Sequence, residues 1–438
     1  MRIIRKLMVL GLAMLAGGLV LSFDAREAGA HGERTQEPFF RMRTLQWFDV
    51  NWSKSEIAVN EDWDLTAKVY VMNDWPSNIP SPDLVFVTAL MPGPVMARIS
   101  SYLNDVPARQ SIKGLQHGKV YEYKSTFRGR IPGTWHVHPE LSVAGSGVMV
   151  GAGKNVTVTG SHVDFLFPLT TMTGETIPDL EMFGLLNVGI WHIIWTLIGA
   201  VWLLFWLLRP LLIPRFIALQ GGREDLLIRR IDVVAGAVLF TLSLTLIYVS
   251  YFMGVTRYPT RVPLQVSVNE ILDDVKQPGN DVKVRLDRAE YDVPGRALRI
   301  KFRATNTGST PLTLGEFTSA TLRFMNKRSR QAMATVTGSY PKELIPDGGL
   351  TIANPAPLQP GETRNMEIAA IDVAWELERL TSFMTDVDAR FGGIMFFFGA
   401  DGSRHLAEIA GPILPVFTAI GGSAAAKSDV EVAAAAQD

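Results

Sequence analysis

Two histidines stand two positions apart in the stretch Gly133-Thr-Trp-His-Val-His-Pro139. Successive side chains of a β-strand alternate faces, so His136 and His138 present both imidazoles to one side. Such a pair can hold one metal ion. The alternative in a β protein is two surface or core histidines with no metal at all.

A third histidine gains meaning from the N-terminus. Arg2, Arg5 and Lys6 precede an uncharged apolar run from Leu7 to Leu21, and Ala28-Gly29-Ala30 follows as a small-x-small cleavage pattern. Together these read as an export signal. The apolar run is short for a membrane span, which speaks against an uncleaved anchor. Cleavage after Ala30 makes His31 the first residue. Its α-amine, with an ordinary pKa of about 7.7–8.0, and its imidazole then close a chelate ring on one ion. One amine and three imidazoles form an all-nitrogen set, well matched to copper and acceptable to zinc. The expected metal ligands are therefore His31, His136 and His138. Glu33 stands beside that new terminus, where an acid is ordinarily solvated.

Composition narrows the chemistry. The chain has 438 residues and no cysteine. Disulfides, iron–sulfur clusters and zinc fingers built on thiolates are excluded. So are a blue-copper electron-transfer site, which needs a His₂Cys set, and a thiolate-bridged dinuclear copper centre. A formal net charge of -1 argues against a nucleic-acid binder. The other histidines carry weaker signals. His117 reads as part of a surface turn, and His162 and His405 lack a partner at ligand spacing. His192 lies within an apolar run and is expected to hydrogen-bond a neighbouring helix.

The elements that must position these residues are mainly β. Runs such as Asp64 to Val71 and Asn155 to Thr159 alternate or carry β-branched residues, with Asn73-Asp-Trp-Pro76 and Met91-Pro-Gly-Pro94 as turns. Val282 to Leu286, Ala297 to Phe302 and Ala320 to Phe324 behave the same way further on. Between these regions lie two apolar runs, Leu185 to Leu208 and Val233 to Met253. Each is long enough to cross a bilayer, which takes about 20 residues. The loop from 209 to 232 carries Arg209, Arg215, Arg223, Arg229 and Arg230. Positive loops stay in the cytoplasm, so both β regions belong on the opposite side, where the export signal also sends the first. The expected organisation is a signal peptide at 1–30, a β domain at 31–184, a transmembrane hairpin at 185–253, a second β domain at 254–420, and a disordered Ala-rich tail at 421–438.

Several stretches together resemble the B subunit of the copper membrane monooxygenase family, which includes particulate methane and ammonia monooxygenases. They are His31-Gly-Glu-Arg-Thr-Gln-Glu-Pro-Phe39, Arg41-Met-Arg-Thr44, Met91-Pro-Gly-Pro-Val95 and Gly133 to His138. Val293 to Arg299, Gly315-Glu-Phe317, Pro360 to Arg364, Arg390-Phe-Gly-Gly393 and Gly411 to Phe417 continue the match in order. The resemblance implies two periplasmic cupredoxin-like β-sandwich or barrel domains joined by two transmembrane helices, in a bacterial inner or intracytoplasmic membrane. It implies copper on His31, His136 and His138, and partners, the family's A and C subunits, in a trimer of heterotrimers. It also implies a reaction that uses O₂ and a reductant to hydroxylate ammonia, methane or a short hydrocarbon, with catalysis in the B or the C subunit. Gln46 and the Gly-Glu-Arg-Thr-Gln-Glu-Pro start favour ammonia. Some relatives hold a second copper on two histidines and a glutamine. Those positions fall here on Gln46, Tyr70 and His405, which predicts that this site is absent.

Two other functions fit parts of the sequence. A membrane-anchored periplasmic copper carrier or sensor would commonly use methionine clusters, but the 16 methionines are scattered. A structural β scaffold would leave the histidines incidental.

Overall fold

The computed structural model describes residues 34, 36–108, 111–171, 174–208, 212–257, 268–270, 276–385 and 388–417. The expected signal peptide, His31, Glu33 and the expected Ala-rich tail lie outside them. The chain divides into two compact units, one formed by Met1–Phe165 with Ser267–Asp438, the other by Leu166–Val266.

The first unit opens on a short helix α1 (Pro38–Arg43), started by the proline at its first turn. The strands that follow are β1 (Leu45–Trp52), β2 (Glu56–Ala58), β3 (Asp62–Val71), β4 (Leu84–Leu90), β5 (Met96–Leu103) and β6 (Val106–Pro107). After them come β7 (Ser111–Lys113), β8 (Val120–Gly129), β9 (Gly133–Val143), β10 (Gly147–Val150) and β11 (Lys154–Thr159). One sheet runs β1-β3-β8-β5-β6. The opposing sheet contains β7-β4-β9-β11-β2, with β10 beside β9. Alternation builds the sandwich: along β3 and β8 every second residue is buried. Trp47, Leu65, Val69 and Tyr123 from one sheet meet Val87, Val137, Leu141 and Val156 from the other in a single core.

The second unit is described by itself. It holds a two-stranded ladder of β12 (Leu169–Thr170) and β13 (Thr176–Ile177), then helices α2 (Leu185–Leu207), α3 (Leu212–Gln220) and α4 (Arg230–Arg257). Both α2, of 23 residues, and α4, of 28, are long and apolar enough to cross a membrane. At ~1.5 Å per residue each exceeds the ~30 Å hydrocarbon thickness of a bilayer. His192 donates from Nδ1 to the Val188 carbonyl of its own helix at 2.9 Å, rather than to a neighbouring helix. The region expected as a plain loop contains α3, because Leu212-Ile-Pro-Arg-Phe-Ile-Ala-Leu-Gln220 is itself mostly apolar.

Strand β14 (Val268–Glu270) returns to the first unit and extends the β7 edge of the N-terminal sheet. A second sandwich follows, from β15 (Val282–Asp292), β16 (Ala297–Asn306), β17 (Leu312–Ser319), β18 (Leu322–Met325), β19 (Leu350–Ile352), β20 (Thr363–Ile371), β21 (Arg390–Gly399), β22 (Arg404–Pro412) and β23 (Leu414–Val416). Its sheets run β19-β20-β16-β15-β23 and β18-β17-β21-β22. Short helices α5 (Arg330–Met333) and α6 (Ala374–Leu377) bury Ala332, and Ala374 with Trp375, respectively.

The two sandwiches pack on one another. From Phe391 to Gly399, β21 is buried at every position, because its outer face is covered as well as its inner one. Phe48 of the first sandwich meets Phe396 of the second with ring centroids 5.2 Å apart. Phe48, Tyr70, Met72, Val120, Ile394, Phe396 and Leu406 share a separate apolar cluster at this junction. Each such side chain, once buried, stabilises by about 1.5–3 kcal/mol. Glu408 adds a polar lock, accepting from Tyr70 Oη at 2.9 Å, Asn73 N at 2.8 Å, Asn73 Nδ2 at 2.7 Å and Asp74 N at 2.9 Å.

Candidate metal centre

The histidine pair lies on β9, as the alternation requires. Its neighbours on the two sides differ. Residues 133–137 pair with β11, so that Asn155 stands directly opposite His136. Residues 140–143 pair with β10. Between these two ladders the chain Gly151-Ala152-Gly153 belongs to neither strand, and this gap falls beside His138. On its other side His138 pairs with Leu90 of β4.

Hydrogen bonds fix both rings. His136 Nδ1 lies 2.7 Å from Asn155 Oδ1, and His138 Nδ1 lies 2.9 Å from the Gly151 carbonyl oxygen. Both partners are oxygen acceptors, so each Nδ1 carries its proton and donates it. In the neutral rings the lone pairs then sit on Nε2, the tautomer a metal needs, held by an oxygen behind each ligand. The ring centroids are 4.6 Å apart with planes at 74°. Both Nε2 atoms are shielded from solvent. His138 is 1% exposed, which fixes its place in the core wall.

Room is made by a missing side chain. A Cβ at Gly153 would fall 2.1 Å from His138 Cε1, 2.4 Å from its Nδ1 and 2.6 Å from His136 Nε2. A Cβ at Gly151 would strike Pro139 at 2.7 Å and Trp47 at 2.8 Å. The glycines are required by close approach here, and they let the backbone supply the oxygen that holds His138. Trp47 and Tyr123 stack edge to face beneath, with centroids 5.5 Å apart. Tyr123 Oη donates to the Thr88 carbonyl at 2.6 Å, and Thr88 Oγ1 donates to Glu140 at 2.5 Å. Glu140 follows His138 on the same face of β9. Burial pushes its carboxyl above the usual range, against the opposing effect of the hydrogen bond from Thr88.

Two imidazoles do not complete a site. Among the described residues, no group of three or more His, Asp or Glu could hold a metal. The third expected ligand, His31, lies outside them. The described residue of the N-terminal arm nearest His31 in sequence is Arg34, whose Nε donates to Glu378 at 3.0 Å, and Gln36 Nε2 donates to the Val148 carbonyl of β10 at 2.5 Å. The donors present are two neutral nitrogens with oxygen acceptors behind them, which suits copper or zinc.

The other sequence candidates are occupied elsewhere. Gln46 pairs with Tyr70 across β1 and β3. Its amide donates to the Arg41 and Met42 carbonyls at 2.8 Å each, while Oε1 accepts from Ala320 N at 3.1 Å. Tyr70 is held by Glu408, and burial with the Glu408 charge raises its phenol far above the ordinary value. His405 lies 3.3 Å from Asp281 through Nδ1. His117 closes a turn, with Nδ1 2.8 Å from the Met72 carbonyl oxygen. His162 lies exposed in a single helical turn. Sequence reasoning missed Asn155, Gly151 and Gly153. The signal available was two glycines flanking one residue just ahead of an expected strand.

A family model described as a monooxygenase B-subunit protein matches residues 32–417. The chain is similar to the particulate methane monooxygenase alpha subunit of Methylococcus capsulatus, at 37% identity over 406 residues, covering 93% of this chain and 97% of that one. Among solved structures it is similar to the cupredoxin domain of amoB from Nitrosocaldus yellowstonii, with a TM-score of 0.22 and 17% identity over 27% of this chain and 89% of that one.

Proposed function

Since the chain belongs to the monooxygenase B-subunit family, we propose that it is the copper-binding B subunit of a membrane-bound copper monooxygenase. The observation that carries the copper assignment is the pair His136 and His138, each fixed through Nδ1 and facing the gap left by Gly153. His31, as the mature N-terminus, supplies the remaining nitrogens. Copper, when bound, would supply one-electron redox chemistry. The chain's own residues bind and orient it: His136 and His138 coordinate, Asn155 and Gly151 hold the tautomers, and Trp47 and Tyr123 close the floor against water.

In this reading α2 and α4 cross a bacterial inner or intracytoplasmic membrane. The arginine-rich segment between them stays in the cytoplasm, and both sandwiches stand in the periplasm. The working assembly joins this chain to the family's A and C subunits as a trimer of heterotrimers. One oxygen atom of O₂ enters an N–H or C–H bond and the other leaves as water, with two electrons and two protons from a donor. Ammonia is the favoured substrate, with methane and short hydrocarbons next. The metal that activates O₂ belongs, on this proposal, to the C subunit, with the copper of this chain serving stability, storage or electron supply. A carrier or sensor would need a ligand reachable by exchange partners, and His138 at 1% exposure speaks against that.

The substrate is tested by O₂ uptake of membranes holding the native complex. Ammonium-dependent uptake with hydroxylamine as product supports the assignment. Uptake with methane alone, yielding methanol, would move the preference to hydrocarbons. Uptake with neither would remove the enzyme reading.

A further inference from the structure

We infer that the outer face of the β20-β16-β15 sheet docks an acidic face of another protein, an inference that stands apart from the copper reading. The register places six cations on this face: Lys283, Arg285 and Arg288 of β15 with Arg299, Lys301 and Arg303 of β16. Their strand neighbours Val282, Ala289, Ile300 and Phe302 turn the other way and are buried. Arg285, Arg288, Lys301 and Arg303 are exposed. The carboxylates among them are Asp287, in the bulge of β15, Glu290 and, from β20, Glu367. Six cations against three acids make this face basic in a chain whose net charge is -1.

The arrangement costs the fold rather than helping it. Arg285 stands directly opposite Arg303, and Arg288 directly opposite Lys301. Like charges directly opposite on one face of a sheet repel each other. Local acids relieve part of this: Glu290 pairs with Arg288, and Glu367 with Lys301 at 3.5 Å. Arg303 donates from Nε to Asn365 Oδ1 at 3.4 Å, a neutral acceptor. Among the described residues, Lys283, Arg285, Arg299 and Arg303 form no ion pair.

Opposed guanidiniums fit carboxylates on a facing surface. An arginine fork meets a carboxylate through two parallel N–H···O bonds, and acids brought against Arg285 and Arg303 would relieve the repulsion that the fold leaves. An anionic bilayer surface fits less well. The basic rows carry no apolar or aromatic side chain on this face that could enter the bilayer boundary. Asn365, Glu290 and Glu367 would meet headgroups of uniform negative charge there, whereas a protein surface has donors to offer them. Beyond Arg299 the same face turns apolar. Leu414 and Val416 of the edge strand β23 are exposed in register with Glu290 and Asp292, and Ile371 of β20 is exposed opposite Ala297 in the latter row. Arginines beside apolar side chains are what protein interfaces are enriched in, with charge selecting the partner.

The test uses the purified native complex with three probes: poly-L-glutamate, phosphatidylglycerol vesicles and inorganic phosphate. The variants are Arg285→Glu, Arg285→Glu/Arg303→Glu and, as a control on the first sandwich, Lys113→Glu/Lys124→Glu. Poly-L-glutamate is expected to bind more weakly as salt rises. Its affinity should fall by about tenfold or more in the double face variant and stay native in the control. Arg285→Glu puts opposite charges across the register, so it should raise the melting temperature while weakening the probe. In cells, a photoreactive benzoyl-phenylalanine at position 365 is expected to capture a protein at an acidic stretch, and to lose it in the double face variant. Native binding in that variant, or an equal loss in the control, overturns the inference. So does a lower melting temperature in Arg285→Glu, which would make the arginine a support of the fold. Binding through Arg285 and Arg303 of the vesicles alone, or of phosphate alone, overturns it in favour of a membrane contact or a small-anion site. A crosslink confined to lipid or to a second copy of this chain, or none at all, overturns it too.

Discussion

Asn155 faces His136 across neighbouring strands, with its Oδ1 2.7 Å from the imidazole Nδ1. This contact decides which nitrogen carries the proton, and so which one is offered to a metal. Loss of such a supporting partner typically costs 10–100-fold in metal affinity. Asn155→Ala is expected to weaken copper by roughly that range, and Asn155→Asp to bind at least as well as the native chain. Chelator competition measures both. Native affinity in Asn155→Ala would mean that the ring is oriented by something else.

Gly153→Ala should remove copper while leaving the sandwich folded. Gly153 is not in the left-handed backbone region, so the cost is contact alone. The added methyl group would overlap His138, which is held by Gly151 and by the core and has nowhere to retreat. Copper content and a far-ultraviolet circular dichroism spectrum check the two halves of this expectation. A copper-replete alanine variant would place the metal away from the gap.

The junction between sandwiches should depend on Glu408. Tyr70→Phe removes one hydrogen bond to a charged group and should cost about 1.5–3 kcal/mol. Glu408→Ala strips the acceptor from Asn73 and Asp74 as well and should cost more. Denaturant titrations of the two variants give the order. Equal stabilities would show that the apolar cluster around Phe48 and Phe396 holds the junction without this lock.

Acid should weaken the second sandwich through Glu316. Its carboxylate is fully buried, with Arg323 at 2.7 and 3.0 Å and Arg404 at 3.3 Å. Burial alone would raise its pKa, but the two guanidiniums and Thr318 outweigh it and hold the carboxyl below the usual range. A folded pKa below the unfolded value of about 4.3 gives stability that is complete above that value and lost as pH falls through the folded one. Glu316→Gln leaves Arg323 without its buried partner and should cost about 3–5 kcal/mol near neutrality. The gap between native and variant melting temperatures should narrow below pH ~4. A gap of constant width down to pH ~3 would contradict this.

Much of the site and little of its support could be read along the chain. His136 and His138 were legible because strand alternation alone puts them on one face. The long apolar helices were legible because bilayer thickness sets a length that composition can meet. Asn155 was not, because its place opposite His136 depends on the register of β11 against β9. Gly151 and Gly153 matter through the gap between two ladders, which no local pattern announces. Glu378 is 344 positions from Arg34, and the contact exists only because one sandwich docks on the other. Helix α1 was hidden inside a region that read as β, since six residues are too few to show a helical period.

A copper site on His136 and His138 is tested most directly by copper content and electron paramagnetic resonance of the native membrane complex, beside the His136→Ala/His138→Ala variant. The expected result is a Cu(II) signal with nitrogen ligands in the native complex that disappears in the variant. No copper signal in the native complex, or an identical signal in the variant, would contradict it.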